Sequence, residues 1–255
     1  MKIRCLILLL VSLVQNGLQG LALGSPATCK KNKLFTAQRV VAWSTPSRVN
    51  AFFYESGFAI DADGAFRAYH PSDHLGLDSL AHAGHQGNWW ALVTDDGKPS
   101  GHPVVQGKTD PAPGYYVSTT ALYDSRNPNI RDPHRYVDAA KIPYVVLHPK
   151  ALKHARLGDF AIVANLKNGR ISAAIVADES SADLPVGEGS IALAEKLSID
   201  PSPRHGGQDG AVVYLIFPDS GNGNQRAFKD IVANSTKLFE VWGGMKKLKE
   251  CLVDE

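Results

Sequence analysis

The chain has 255 residues, 44% of them hydrophobic, which suits one globular domain or two small ones. Its formal net charge is +2, from 27 basic and 25 acidic residues. So mild a balance argues against a protein that binds nucleic acid.

The N-terminal residues have the pattern of a secretory signal peptide. Basic residues precede an apolar core at residues 5–14, and Ala-Leu-Gly at residues 22–24 supplies small residues for a cleavage site. The core is shorter than the roughly 20 residues that span a bilayer, which argues against a membrane anchor. We expect a signal peptide over residues 1–24 and a secreted mature chain, free of the membrane, over residues 25–255.

Cleavage would leave two cysteines, Cys29 and Cys251, near opposite ends of the mature chain. In an oxidising compartment we expect them to form one disulfide; two unpaired thiols are the alternative. Asn234-Ser235-Thr236 is a sequon, so Asn234 is a candidate glycosylation site in a eukaryotic host.

Runs rich in Val, Ile, Tyr and Phe, separated by turn residues, predict β-strands. In chain order they are RVVAW, NAFFYESGFAI, NWWALVT, YYVSTTAL, PYVVLH, DFAIVANL, RISAAIVAD and AVVYLIF. Asn168-Gly169, between the sixth and seventh runs, predicts a hairpin with a two-residue type I′ turn. The predicted architecture is mainly β, a single domain with peripheral helices and long loops over about residues 61–135.

Two segments are predicted to be helical. Residues 190–197 contain good helix formers after Ser190, a suitable N-cap. Residues 224–252 carry apolar residues at helical spacing after a possible Asn224 cap, and that stripe should face the core.

Two carboxylic acids, one at the end of the seventh predicted strand and one in the segment that follows it, are candidates for catalysis. Asp178 ends the apolar run AAIVA, where apolar surroundings favour the protonated form that a general acid needs. Glu188 lies between two glycines before a predicted helix, whose N-terminus favours the charged form that a base needs. Glycosidases divide acid and base work between two such groups. On spacing alone, a turn residue and a surface charge are the simpler interpretation.

The sequence predicts no metal site and no cofactor. Asp61-Ala62-Asp63-Gly64 begins as a calcium loop does, but the later ligand positions of an EF-hand are missing. The histidines at positions 70, 74, 82 and 85 lack both an orienting helix and cysteine partners. Asp61 and Asp63 could instead line a site for a cationic ligand.

Adjacent aromatic pairs are candidates for sugar binding. Trp89-Trp90 and Tyr115-Tyr116 lie in predicted strands, where one residue of each pair faces the core and the other the opposite face. An outward ring could stack on a sugar, although core packing is the commoner role. We take Trp89 and Tyr115 as the substrate-binding candidates.

An ordered set of segments carries a family resemblance over about residues 52–218. The segments are DADGAFRAYHP, GNWWALV, GYYVSTTAL, RYVDAAKIPYVVLHP, GDFAIVAN, AAIVAD, GEGSIALAEKL and GGQDGAVVYLIFP. Together they resemble the chitosanases of glycoside hydrolase family 75.

The resemblance implies endo-hydrolysis of β-1,4-linked glucosamine chains by an inverting mechanism. The family's two proposed carboxylates fall on Asp178 and Glu188, and Asp183 adds a third acid between them. Chitosan is polycationic, so a cleft that also holds Asp61 and Asp63 would attract it. Related two-carboxylate hydrolases suggest a closed β-barrel of the double-psi type, and we expect a monomer.

Two other functions remain open at this point. One is a secreted protein that binds polysaccharide without turnover. The other is a hydrolase of a different β-linked amino-sugar polymer.

Overall fold

The structure is a computed structural model that describes residues 29–253. The predicted signal peptide lies outside the described residues and stays a prediction. Within residues 29–253, no helix is both long and apolar enough to cross a membrane.

Within residues 29–253, ten strands and four α-helices form the fold. The strands are β1 (Asn32–Ala37), β2 (Val40–Ser44), β3 (Phe52–Asp61), β4 (Gly84–His85), β5 (Asn88–Trp89), β6 (Tyr144–Leu147), β7 (Phe160–Asn165), β8 (Ile171–Glu179), β9 (Glu188–Ser190) and β10 (Gln208–Phe217). The helices are α1 (Pro149–Leu152), α2 (Ile191–Leu197), α3 (Phe228–Trp242) and α4 (Gly244–Leu252). Three 3₁₀ turns lie at Asp73–Leu75, Leu80–His82 and Pro133–Arg135.

Six strands close into a barrel in the order β3-β10-β7-β8-β6-β9, because β9 pairs back onto β3. The β3–β9 and β6–β8 pairs are parallel, and the other barrel pairs are antiparallel. The β1–β2 hairpin extends the sheet from β3. Strand β7 is buried along its whole length, as its continuous apolar run requires. The predicted mainly β single domain with a closed barrel is confirmed.

The predicted β7–β8 hairpin is present, but its predicted type I′ turn is wrong. The loop spans four residues, 166–169, and is closed by the Asn165 N–H bond to the Arg170 carbonyl, at 2.8 Å. Only Gly169 in this loop has a positive φ, whereas a type I′ turn needs two such residues. Asn168 instead uses its side-chain oxygen to accept the N–H of Arg170, at 2.9 Å.

The long loops are confirmed, and they absorb two runs that were predicted to be strands. In NWWALVT only the two-residue β5 forms, and YYVSTTAL makes single bridges, such as Leu92 with Ser118 and Val105 with Tyr116. The second segment is bonded to the barrel strand β8, where Leu122 donates its N–H to the Ala177 carbonyl at 2.9 Å. Isolated bridges therefore replace the continuous ladders that their composition favours.

Both predicted helical regions are present. The Ser190 hydroxyl accepts the Leu193 N–H at 3.1 Å and caps α2. The predicted Asn224 cap is wrong, because α3 begins only at Phe228. Gly243, with φ of 130°, then separates α3 from α4.

The Cys29–Cys251 disulfide is present and joins the start of the described chain to α4, which confirms the predicted pairing. Asn234 is exposed on α3 rather than in a loop, and its glycosylation stays a prediction.

Candidate active site

The strand register places Asp178 and Glu188 on either side of one residue of β6. Val146 pairs with Asp178 on β8 and with Glu188 on β9. Residues directly opposite one another on neighbouring strands share a face, so both carboxyl groups project from the same side of the barrel wall. Two strand spacings put their Cα atoms about 10 Å apart.

A register shift in β8 accompanies this alignment. Val145 pairs with Val176, but the next residue of β6, Val146, pairs with Asp178, which leaves Ala177 as the extra residue of a bulge. Bulges re-aim side chains and are frequent beside functional sites.

The glycines around Glu188 allow β9 to fit between β3 and β6. A Cβ on Gly187 would lie 2.4 Å from the Gly57 carbonyl oxygen, and one on Gly189 would lie 2.8 Å from the Tyr144 carbonyl oxygen. Gly187 also has φ of 106°, which disfavours other residues. The Gly-Glu-Gly sequence thus inserts Glu188 into the barrel wall.

Asp61 and Asp63 join this group from the end of β3. Asp61 lies two residues beyond Ala59, the register partner of Glu188, and so shares its face. The Asp63 N–H donates to Asp61 Oδ1 at 2.8 Å, and the Tyr69 hydroxyl donates to Asp63 Oδ1 at 2.7 Å.

The two oxygens of Asp178 have different surroundings. Oδ1 accepts the N–H groups of Ala121 at 3.1 Å and Glu179 at 2.8 Å. Oδ2 is buried and has no hydrogen-bond partner among the residues that the structure describes. The side chain as a whole is close to fully buried, since the residue is 8% exposed. Burial, followed by the charge of Asp61, raises the pKa of Asp178 well above its usual range despite the two N–H donors.

All the acids of this cluster have raised pKa values. Burial raises the pKa of Glu188 to about 8, and the charges of Asp61 and Asp78 add to the effect. Burial also raises the pKa of Asp61 to about 6, although the Asp63 N–H opposes the shift. The pKa of Asp63 is raised well above its usual value by burial and then by Asp61 and Asp178. The cluster therefore holds protons that isolated carboxyls would lose.

This finding corrects the expectation that a helix N-terminus keeps Glu188 charged. Glu188 lies in β9, and α2 begins only at Ile191, with Ser190 as its cap. Burial and neighbouring carboxylates therefore dominate the pKa of Glu188.

Sequence reasoning missed Asp78. This residue is only 3% exposed, and its Oδ1 lies 2.7 Å from the Ser79 nitrogen and 2.8 Å from His82 Nδ1. No motif marks it, because it reaches the cluster through the irregular loop after β3.

The aromatic candidates differ in their surroundings. Trp89 is half-buried and packs against the core, whereas Trp90 is 57% exposed. Tyr115 is half-buried, stacks edge-on with His70 and donates its hydroxyl to the Leu75 carbonyl at 3.1 Å. Asp183 is exposed in the β8–β9 loop and is absent from the hydrogen bonds and charge effects described for the buried acids.

Three of the acids could also hold a cation. Single carboxylate oxygens of Asp61, Asp63 and Asp178 lie within 4.8 Å of one another. Such oxygens suit hard cations, and a cation bound here would compete with a proton for the Asp178 carboxyl group.

Carboxyl groups in unequal surroundings on one face of a closed β-barrel are suited to a hydrolase that works by acid and base. Residues 96–254 match the family described as fungal chitosanase of glycosyl hydrolase group 75. Because the match covers more than half of the chain, the chain belongs to this family and is a glycoside hydrolase of the chitosanase type. The matched region includes Asp178 and Glu188 but begins after Asp61 and Asp63. No curated protein matches the chain.

Proposed function

We propose that this protein is a secreted endo-chitosanase that cleaves β-1,4 bonds between glucosamine units with inversion, using Asp178 as acid and Glu188 as base. The placement of these two residues on either side of Val146 carries the proposal. Side chains that leave one sheet face about 10 Å apart suit the ~6.5–9.5 Å carboxyl separation of inverting enzymes better than the ~5 Å of retaining ones.

Asp178 suits the acid role because its proton has a defined position. Oδ1 accepts two backbone N–H groups, which leaves the partnerless Oδ2 to carry the hydrogen. A raised pKa keeps that proton in place until the substrate accepts it.

Glu188 suits the base role because its side chain is partly exposed, so a water molecule can reach it. Its pKa of about 8 makes it a stronger base than an ordinary carboxylate. A bound ammonium group would favour its charged form, so the polycationic substrate itself would help to deprotonate it.

The two groups together balance the reaction. Substrate binding must first give the glycosidic oxygen access to Asp178 Oδ2, which is buried in the chain alone. Oδ2 then gives its proton to that oxygen as the bond from the oxygen to C1 breaks. Glu188 takes a proton from water as the water oxygen bonds to C1 from the opposite face. Proton exchange with solvent then restores both groups.

Asp61 and Asp63 would bind the ammonium groups of the substrate. Asp61, with a pKa of about 6, is charged at neutral pH and attracts a polycation although the whole chain is slightly basic. Tyr115 and Trp89 remain proposed contacts for sugar rings.

Secretion is part of the proposal. The disulfide between Cys29 and Cys251 is compatible with an oxidising compartment, and the N-terminal sequence has the pattern of a signal peptide. We propose a mature monomer that acts on extracellular chitosan.

The test is the release of new reducing ends from chitosan by Asp178→Asn, Glu188→Gln and the matched control Asp183→Asn. We expect the first two to lose about 10²- to 10⁴-fold in activity and the control to stay near wild type. Near-normal activity of either site variant would remove that residue from the mechanism. Binding of chitosan by the wild type without product would show a polysaccharide-binding protein instead.

A further inference from the structure

Trp90 presents a fixed aromatic surface to solvent. Its side chain is 57% exposed, an unusual state for tryptophan in a fold with a large core. Nε1 donates to the His82 carbonyl at 2.8 Å, and the backbone N–H donates to the Ala83 carbonyl at 3.1 Å. His85 stacks edge-on with the indole, at 6.2 Å between ring centres. The ring is thus held at its edge while most of it stays open.

His82 links the Trp90 indole to a buried carboxyl group. His82 contacts Trp90 with its main-chain carbonyl and Asp78 with its ring, where Nδ1 lies 2.8 Å from Oδ1. Asp78 is 3% exposed, whereas the His82 side chain is 59% exposed. The open indole and the buried Asp78 carboxyl group are therefore both bonded to one residue, His82.

Main-chain bonds tie Asp78 to the catalytic cluster. The Asp78 N–H donates to the Ala68 carbonyl at 3.0 Å, and the next residue, Tyr69, donates its hydroxyl to Asp63. Asp78 also raises the pKa of Glu188, as expected for a nearby negative charge.

Arg204 fixes the loop that carries Asp78. Its guanidinium donates to the Gly76 carbonyl at 3.3 Å, to the Asp78 carbonyl at 2.8 Å and to the Asp73 carboxylate at 3.2 Å. The cation thus binds the main chain of Asp78, and the Asp78 carboxylate is left to face other groups.

We propose that Trp90, His82 and Asp78 form a substrate subsite beside the catalytic carboxyls that binds one protonated glucosamine unit. The indole contacts the apolar face of the sugar ring, and the Asp78 carboxylate binds the ammonium group on C2. An N-acetylated unit has no ammonium, so this subsite selects deacetylated units. The inference rests on the proposed function and adds to it the position that selects the sugar.

The test is calorimetric binding of glucosamine hexamer at pH 5 by the full mature chain carrying Glu188→Gln. That substitution prevents turnover and also removes any effect of Asp78 on the charge of Glu188. Trp90→Ala should weaken binding about two- to tenfold through loss of ring contact. Asp78→Asn, which keeps the shape and an acceptor oxygen, should weaken it about two- to fivefold through loss of an ion pair.

Two further variants separate the subsite from general damage. Val241→Ala truncates a 51% exposed side chain on α3 and should bind as the parent does. Trp90→Phe keeps an aromatic face but loses the bond to His82, so its affinity should lie between those of the parent and Trp90→Ala. Unchanged affinity in both Trp90→Ala and Asp78→Asn would overturn the subsite.

The outcomes for the subsite and for the proposed function are distinguishable. Cleavage of chitosan by the wild type, with unchanged binding in the Trp90 and Asp78 variants, refutes only the subsite. Binding that these variants weaken, in a wild-type chain that releases no product, supports the subsite and refutes the hydrolase. A hexamer that does not bind the parent overturns the subsite directly.

Discussion

Replacing Asp61 with asparagine should shift the pH dependence of catalysis in a defined direction. Asp61→Asn removes a negative charge but keeps an oxygen to accept the Asp63 N–H. Without that charge, the ionised form of Glu188 is less disfavoured, so the pKa of Glu188 falls. A base must be ionised to act, so the variant should be relatively more active where the wild-type base is still protonated.

The register sets the size of the effect. Asp61 lies one strand across and two residues along from Glu188, so their Cα atoms are about 8 Å apart. At an effective dielectric constant of about 20, one charge at that distance contributes about 2 kcal/mol, or about 1.5 pKa units. The difference is confined to a window, because Asp61 is neutral below its own pKa of about 6 and Glu188 is ionised above about 8.

The assay is kcat at saturating glucosamine hexamer from pH 5 to pH 9 for the variant and the wild type. Saturation is needed because Asp61→Asn should also weaken ammonium binding, and that loss appears in KM rather than in kcat. Normalised at pH 5, the variant-to-wild-type ratio should rise to about threefold near pH 7 and fall again above pH 8. Asp209→Asn, which removes an exposed charge from β10, should give a flat ratio. A flat ratio or a minimum near pH 7 for Asp61→Asn would refute the electrostatic argument.

Three further outcomes are expected. The pKa of Glu188 rises from 4.5 to about 8 on folding, so the stability gained from its protonation is complete below pH 4.5 and is lost as the pH rises to 8. The Tm of Glu188→Gln minus the Tm of the wild type should therefore increase between pH 4 and pH 8. A constant difference would count against the raised pKa. Replacing Cys29 and Cys251 with alanine should lower the free energy of unfolding in urea by up to about 5 kcal/mol, because the bridge closes almost the whole described chain; an unchanged urea midpoint would contradict this. Tyr69→Phe should cost about 1 kcal/mol, since the half-buried Asp63 loses its hydroxyl donor, and urea unfolding that matches wild type would show that the bond contributes nothing.

Features that depend on local sequence were predictable. The β7–β8 hairpin, the Ser190 cap of α2 and the loops after β3 follow from residue types within a few positions of one another. The two-residue turn at Asn168-Gly169 was wrong because the Asn168 side chain bonds to the backbone and stabilises a longer loop.

The arrangement of the acids was not predictable from spacing. Asp178 and Glu188 come together because β6, from a distant part of the chain, pairs with both of their strands. Only the family resemblance singled them out beforehand, and their catalytic role remains a prediction. Asp78 had no sequence signal at all.

The choice within the tryptophan pair shows a similar limit. Alternation in a strand says that one of two adjacent residues faces outward but not which one. The β4–β5 hairpin leaves Trp90 exposed and packs Trp89 against the core. That choice depends on how the hairpin lies on the barrel.

The most direct test of the central claim is the anomeric form of the first product. Glucosamine hexamer, which has β linkages, can be followed by proton NMR during the first minutes of hydrolysis by the mature chain. Acid and base catalysis by Asp178 and Glu188 across Val146 predicts that the α-anomer forms first and then mutarotates. Initial formation of the β-anomer, or no cleavage at all, would contradict it.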